Sequence, residues 1–137
     1  MPDAQFSFLK PTLIFLGSGS GGLLRYWLGG IVQNWWGPTF PLGTLIVNVS
    51  GCLAMGFIAT AWTGPVLIRE EYRAAMLIGV LGGYTTFSSF SRETLTLARD
   101  GEWWRAGAYI LGSVALSLVA VWLGSAIAAK LYGTGAP

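Results

Sequence analysis

The residues best suited to chemistry form one string near the middle of the chain, at positions 82–93. The string reads Gly-Gly-Tyr-Thr-Thr-Phe-Ser-Ser-Phe-Ser-Arg-Glu and lies between two apolar runs. Because glycine is a poor helix former and adjacent threonines lose side-chain freedom in a helix, the string predicts a break in a helix. After the break, Phe87 and Phe90 share one helix face, while Ser88 and Ser91 lie on a neighbouring face.

Further polar side chains occur at helical spacing in other apolar stretches. Asn48 is the only amide well inside an apolar run, and Thr44 lies one turn before it on the same face. Tyr109, Ser113 and Ser117 follow one another at intervals of four residues and predict a polar stripe on the last helix. Such residues also serve as interhelical hydrogen-bonding groups or bond to their own helix carbonyls, so both interpretations stay open.

The chemistry offered by these groups is hydrogen-bond donation. Amide N–H groups, hydroxyls and the positive edges of aromatic rings all suit a small anion. An anion that leaves water needs donors that replace its hydration shell, whereas a fixed buried lysine or arginine would trap it. The chain has no histidine and no carboxylate between Asp3 and Glu70, and no nucleophile–base pair stands out. The residues therefore indicate an anion path and disfavour an enzyme.

The elements that must position these residues are membrane helices. Only 10% of the 137 residues are charged and 53% are hydrophobic, whereas a soluble domain is about one quarter charged. A bilayer-spanning helix needs about 20 apolar residues. We therefore expect a single all-α integral membrane domain, residues 1–137, whose third helix is broken in mid-span. The four expected spans are approximately 12–32, 42–62, 73–98 and 103–131.

Cysteine content and net charge limit the other functions. With one cysteine and no histidine, the chain forms no intrachain disulfide and is a poor candidate for a zinc site. Cys52 lies inside the second expected span, and we interpret it as a packing residue. The net charge of +2 provides no basic surface for nucleic acid.

Small residues at regular spacing predict close helix packing. The segment 17–22 matches the dinucleotide pattern G-x-G-x-x-G, but no acidic residue follows about 20 positions later, as that site requires. Gly17 and Gly21 are better interpreted as a contact between helices. The fourth span repeats the same spacing at Ala108 and Gly112 and again at Ala120, Gly124 and Ala128.

The basic residues are balanced between the two sides of the membrane. Orientation normally follows an excess of lysine and arginine in the loops of one side. With four spans, the eight basic residues divide equally, so we expect insertion in both orientations and an antiparallel pair of chains around a two-fold axis. One side holds Lys10, Arg69, Arg73 and Lys130, and the other holds Arg25, Arg92, Arg99 and Arg105. Near the membrane surface, the simplest role for Arg25 is to extend its charge to the interface.

Two motifs resemble those of the CrcB/Fluc family of fluoride channels. The similarity also extends over nearly the whole chain, including its length, the four-span layout and the arginine of the first span. Ser89 stands where threonine also occurs in similar proteins. The motifs are Gly43-Thr44-x-x-Val47-Asn48 and Gly82-Gly83-x-Thr85-Thr86-Phe87-Ser88-x-Phe90-Ser91-x-Glu93.

The resemblance implies a dual-topology antiparallel homodimer in a prokaryotic inner membrane, with two pores that pass fluoride passively out of the cytoplasm. It also implies a structural Na⁺ ion at the two-fold axis, held by the backbone carbonyls of Gly82 and Thr85. Arg25 and Glu93 are expected to have structural roles. The fluoride path is expected to involve Asn48, Phe87 and Phe90, together with Thr44, Ser88, Ser91, Tyr109 and Ser113.

Two other membrane functions are alternatives. A small dual-topology multidrug antiporter also has four spans, but proton coupling needs a carboxylate inside the membrane. Glu70 lies in a loop, and Glu93 lies beside Arg92 near the end of the third span, so neither suits that role well. A structural subunit of a larger membrane complex would explain the glycine-rich packing but not the string of phenylalanines and serines.

Reporter fusions at the C-terminus are expected to show both orientations in one population, because the basic residues give no directional signal. Several lysines added to either end should bias insertion and lower activity. Co-expression of oppositely biased copies should restore activity. A single fixed orientation with full activity would contradict the antiparallel arrangement.

Overall fold

The computed structural model describes residues 8–64 and 66–133, and every regular element within these ranges is a helix. Positions 1–7, 65 and 134–137 of the expected domain lie outside the described residues. Helix α1 is Leu9–Trp36, α2 is Leu42–Ala61, α4 is Phe87–Arg99 and α5 is Trp103–Tyr132. Helix α3 covers residues 70–84 and consists of Glu70–Ala74, a π-helical segment Ala75–Leu81, and Gly82–Tyr84.

Two of these helices, α2 and α5, are long and apolar enough to cross a membrane. Helix α1 has 28 residues, but its glycines, serines and Arg25 make it less apolar. The third expected span is divided between α3 and α4, each too short to cross alone. No single helix therefore covers the third expected span, and α3 and α4 would have to cross together.

The break falls at two threonines, after the two glycines. Gly82 and Gly83 remain helical, whereas Thr85 and Thr86 are extended, with ψ angles of 156° and 121°. β-Branched residues favour this conformation. The Thr86 hydroxyl also caps α4, because it accepts a hydrogen bond from the Ser89 N–H at 3.2 Å. The sequence prediction of a broken helix is confirmed, but the glycines do not form the break.

The glycines of α1 allow it to pack closely against α3. Gly17 and Gly21 are both buried. A Cβ atom at Gly17 would lie 2.6 Å from the Ala75 carbonyl oxygen, and one at Gly21 would overlap the Val80 carbonyl. The predicted packing role of this glycine pair is confirmed, and no strand precedes it in the described residues, as a dinucleotide site would need.

Helix α5 packs mainly along α2 and also contacts α4. Its small residues Ala120, Gly124 and Ala128 are buried, which confirms that part of the predicted packing face. The prediction of close packing at Ala108 and Gly112 was wrong within the protomer. Ala108 is exposed, and a Cβ atom at Gly112 would meet no described atom within 4 Å.

Candidate functional site

The side chain of Asn48 holds the helix break. Its Oδ1 atom accepts a hydrogen bond from the Thr86 N–H at 2.7 Å, and its Nδ2 atom donates to the Thr86 carbonyl at 2.9 Å. In an uninterrupted helix, the Thr86 N–H would instead donate to the Gly82 carbonyl. One amide group on α2 thus satisfies both backbone groups of an extended residue. An asparagine amide has two N–H donors, so the second remains for another acceptor.

Arg25 approaches the same break from α1. Its guanidinium Nη1 atom lies 3.4 Å from the Thr85 carbonyl oxygen. Arg25 therefore does more than extend its charge to the membrane surface, because it faces a carbonyl that the break has exposed. Among the described residues, no group of three histidine, cysteine, aspartate or glutamate side chains could hold a metal ion. Any cation at the break would depend on backbone carbonyls.

Aromatic rings form a contact series that begins at the break. The centroid of Phe87 lies 5.4 Å from that of Phe90, which lies 5.2 Å from Tyr109. Tyr109 in turn meets Phe40 edge to face, with centroids 5.4 Å apart. Phe90 is buried, whereas Phe87 is 78% exposed. Phe40 was not predicted from the sequence, because it lies in the α1–α2 connection and belongs to no helical pattern.

A cavity of about 220 Å³, open to the surface of the protomer, lies beside the break, between α2, α4 and α5. Ser113 is 7% exposed, and its Oγ atom is buried without a hydrogen-bond partner. An unpaired buried hydroxyl is costly, so this cavity is suited to an acceptor such as water or an anion. The lining consists of Asn48, Cys52, Thr85, Thr86, Phe87, Phe90, Ser113, Val114 and Ser117.

Thr44 and Tyr109 meet away from this cavity, at the carboxylate of Glu93. The Thr44 hydroxyl donates to Glu93 Oε1 at 2.8 Å, and the Tyr109 hydroxyl donates to Oε2 at 2.7 Å. These three residues come from α2, α4 and α5, so the carboxylate joins three helices. The sequence placed all three among the site or structural residues but did not predict that they form one cluster.

Ser88 and Ser91 lie on the exposed side of α4. The Ser91 hydroxyl donates to the Phe87 carbonyl of its own helix at 2.9 Å, and the Ser88 hydroxyl lies 3.2 Å from that of Thr86. Neither residue lines the cavity that holds Ser113. Their predicted place on an ion path stays a prediction.

A second cavity, of about 440 Å³, lies on the other side of Thr86. Arg25, Gln33, Thr44 and Glu93 are among its lining residues, so it is more polar and charged than the first. Thr86 lines both cavities and separates them. The role of Gln33 was not predicted from the sequence. Its Nε2 atom donates to the Gly37 and Phe40 carbonyls, and its Oε1 atom accepts from the Gly43 N–H.

A family model described as "CrcB-like protein, Camphor Resistance (CrcB)" matches residues 12–125. The chain belongs to the CrcB family. The matched range contains the Asn48–Thr86 contact, both cavities and the Glu93 cluster. CrcB membership and the apolar helices α2 and α5 together identify a membrane protein.

Several relatives of this CrcB chain carry the name "Fluoride-specific ion channel FluC". The protein from Paramagnetospirillum magneticum is 49% identical over 118 residues, which cover 85% of this chain and 92% of the relative. The protein from Opitutus terrae is 51% identical over 120 residues, covering 86% and 91%. The protein from Solibacter usitatus is 46% identical over 122 residues, covering 89% of this chain and all of the relative.

Replacement of Asn48 by aspartate should weaken the break. The carboxylate of Asn48→Asp can still accept from the Thr86 N–H, but it places negative charge against the Thr86 carbonyl oxygen. We expect the free energy of unfolding to fall by about 1–2 kcal/mol, measured by unfolding in detergent. Asn34→Asp is the control, because Asn34 is exposed near the end of α1. Equal stability of Asn48→Asp and the parent would show that this contact does not hold the break.

Proposed function

We propose that this CrcB-family chain forms a fluoride-selective passive channel. The relatives named above are fluoride-specific ion channels by name and are similar over nearly their whole length. The observation that carries the proposal is the cavity at the break, where the Asn48 amide, the unpaired Ser113 hydroxyl and two phenylalanine rings surround one space. The proposed activity is transport and involves no covalent chemistry.

The lining of this cavity suits passage of an anion rather than tight binding. It contains no charged side chain, so a fluoride ion would meet only neutral donors. The second N–H of Asn48 and the Ser113 hydroxyl replace water, and the positive edges of Phe87 and Phe90 supplement them. Donors of moderate strength allow an ion both to enter and to leave.

The Glu93 cluster belongs to the same path in this proposal. In the structure, the hydroxyls of Thr44 and Tyr109 donate hydrogen bonds to the carboxylate of Glu93. They serve fluoride when those hydroxyls turn from Glu93 towards the ion. The contact between the tilted rings of Phe90 and Tyr109 connects this cluster with the cavity, which Phe90 lines. Ser88 and Ser91 lie at the exposed end of the path.

The functional unit is proposed to be an antiparallel homodimer with two pores. Each protomer contributes four membrane-spanning segments, of which α3 and α4 together form the third. The balanced basic residues give no preferred orientation. Phe87 is 78% exposed beside the cavity in the protomer, so a second copy is suited to cover this side of the path.

In this proposed dimer, a structural Na⁺ ion would lie at the two-fold axis. The carbonyl of Gly82 loses its usual helical donor, because the Thr86 N–H is directed to Asn48. Within the described ranges, the side-chain contact to the Thr85 carbonyl is the long one of 3.4 Å from the Arg25 guanidinium. The two carbonyls from each copy would hold the ion, which when bound balances their partial negative charge and links the two breaks.

Fluoride export from a prokaryotic cytoplasm follows from the membrane potential. A negative interior drives an anion outward by about 2.3 kcal/mol per charge at 100 mV. A passive path in the inner membrane therefore needs no coupling to protons or ATP.

The direct test is efflux from liposomes that contain the purified protein alone. Vesicles loaded with fluoride should release it rapidly once a potassium carrier removes the opposing potential, and vesicles loaded with chloride should retain it. Protein-free vesicles provide the baseline. Equal rates for the two anions, or fluoride release at the baseline rate, would refute the proposal.

The phenylalanine rings provide a test of the path itself. Phe87→Ile and Phe90→Ile remove the positive ring edge but keep a large apolar side chain, a change that normally costs less than about 1.5 kcal/mol. We expect both variants to form dimers on size-exclusion chromatography and to lose most fluoride efflux per dimer. Phe→Met should have a milder effect, because a thioether is polarisable and flexible.

The matched control is Phe57→Ile. Phe57 packs on Tyr132, with centroids 6.3 Å apart, and is not a lining residue of either cavity at the break. This variant should conduct at the parental rate. If Phe87→Ile and Phe90→Ile also conduct at that rate, the two rings are core packing and the path lies elsewhere.

A further inference from the structure

Cys52 lies in the cavity that the proposed fluoride path uses. It is the only cysteine of the chain and forms no disulfide. It follows Asn48 by one turn of α2, so both side chains lie on the same helix face, and both line the cavity. The residue as a whole is half-buried rather than enclosed. Cys52 is therefore not only a packing residue, because part of it stays accessible.

Ser113 provides an independent indication that this cavity holds a polar occupant. Its Oγ atom is buried, lacks a hydrogen-bond partner, and belongs to a residue only 7% exposed that lines the same cavity. A hydroxyl in this state requires an acceptor. The volume of about 220 Å³ accommodates several waters, since each occupies about 30 Å³. The thiol of Cys52 thus faces a space suited to water and small anions.

We propose that Cys52 is a modification site for small thiol-reactive electrophiles and that an adduct on its sulfur closes the fluoride path. The inference rests on the proposed function, because closure requires the cavity to be part of the path. The adduct would project among Asn48, Phe90 and Ser113, where the passing ion needs the same space. Cys52 itself has no role in conduction in this proposal.

The chemistry is thiol–disulfide exchange with a methanethiosulfonate. The Cys52 thiol gives its proton to water, and the resulting thiolate attacks the sulfur that carries the reagent's side chain. A new S–S bond forms between this sulfur and Sγ. The S–S bond of the reagent breaks, and methanesulfinate leaves with its electron pair. No external oxidant is needed.

The experiment treats the full-length protein in liposomes with 2-sulfonatoethyl methanethiosulfonate and follows both mass and fluoride efflux. One adduct per chain should appear, and efflux should fall as the adduct accumulates. Fluoride should protect the thiol. At a fluoride concentration ten times its dissociation constant, labelling should slow by about tenfold, because the occupied fraction does not react. Chloride at the same concentration should give no protection.

Two variants control this experiment. Efflux through Cys52→Ala should be unchanged by the reagent when treated and untreated samples of the variant are compared. Adding Thr63→Cys to Cys52→Ala places a thiol in the exposed turn after α2. That thiol should be labelled without fluoride protection and without loss of efflux.

Three results would overturn the proposal. The first is a native protein that resists labelling while the SDS-denatured protein is labelled. The second is complete labelling with parental efflux, and the third is labelling that fluoride does not slow. If the parent conducts no fluoride at all, the proposed function fails. In that case, the labelling rate with and without fluoride still shows whether Cys52 faces an anion site.

Discussion

The fold depends on how the backbone N–H and carbonyl groups at the helix break are hydrogen-bonded. Peptide groups inside a membrane have no water to bond with, so an extended residue there needs partners from the protein. The Asn48 amide supplies both partners of Thr86, by one donated and one accepted hydrogen bond. An aliphatic side chain could make neither contact, whereas the amide presents its donor and its acceptor on two separate atoms that face the N–H and the carbonyl of Thr86. The break between α3 and α4 is thus held in place by α2.

The contact between Asn48 and Thr86 determines the positions of the neighbouring side chains. Because α4 starts anew at Phe87, its direction does not follow from α3, and Phe90 can reach the ring of Tyr109 on α5. The same register brings Glu93 between the hydroxyls of Thr44 and Tyr109. Close approach of α1 to α3 through Gly17 and Gly21 supports the break from the other side. Cavity, aromatic series and carboxylate cluster therefore share one structural origin.

Local patterns in the sequence predicted the features that depend on local chemistry. Small residues four apart predicted the Gly17–Gly21 packing, and the run of glycine, threonine and serine predicted a break. The break lies within the predicted string and at its two threonines, but the continued helix at Gly82 and Gly83 was not predictable. The extended conformation of Thr86 is stabilised by Asn48, a residue 38 positions earlier in the chain. The Glu93 cluster and Phe40 were missed for the same reason. Their contacts join separate helices and connections, and no periodicity within one segment encodes them.

The arrangement places two electrostatic environments on either side of Thr86. The cavity with Asn48 and Ser113 has a neutral lining, whereas the second cavity contains both Arg25 and Glu93. A charge in a low-dielectric region acts strongly on its neighbours. Phe90 lines the neutral cavity, its ring contacts the ring of Tyr109, and the Tyr109 hydroxyl donates to Glu93, so these two rings lie between the cavity and the carboxylate. In the proposed channel, an ion that leaves the neutral donors therefore passes the contact between Phe90 and Tyr109 before it meets the carboxylate, and the balance between attraction by the donors and repulsion by Glu93 sets how easily the ion moves on.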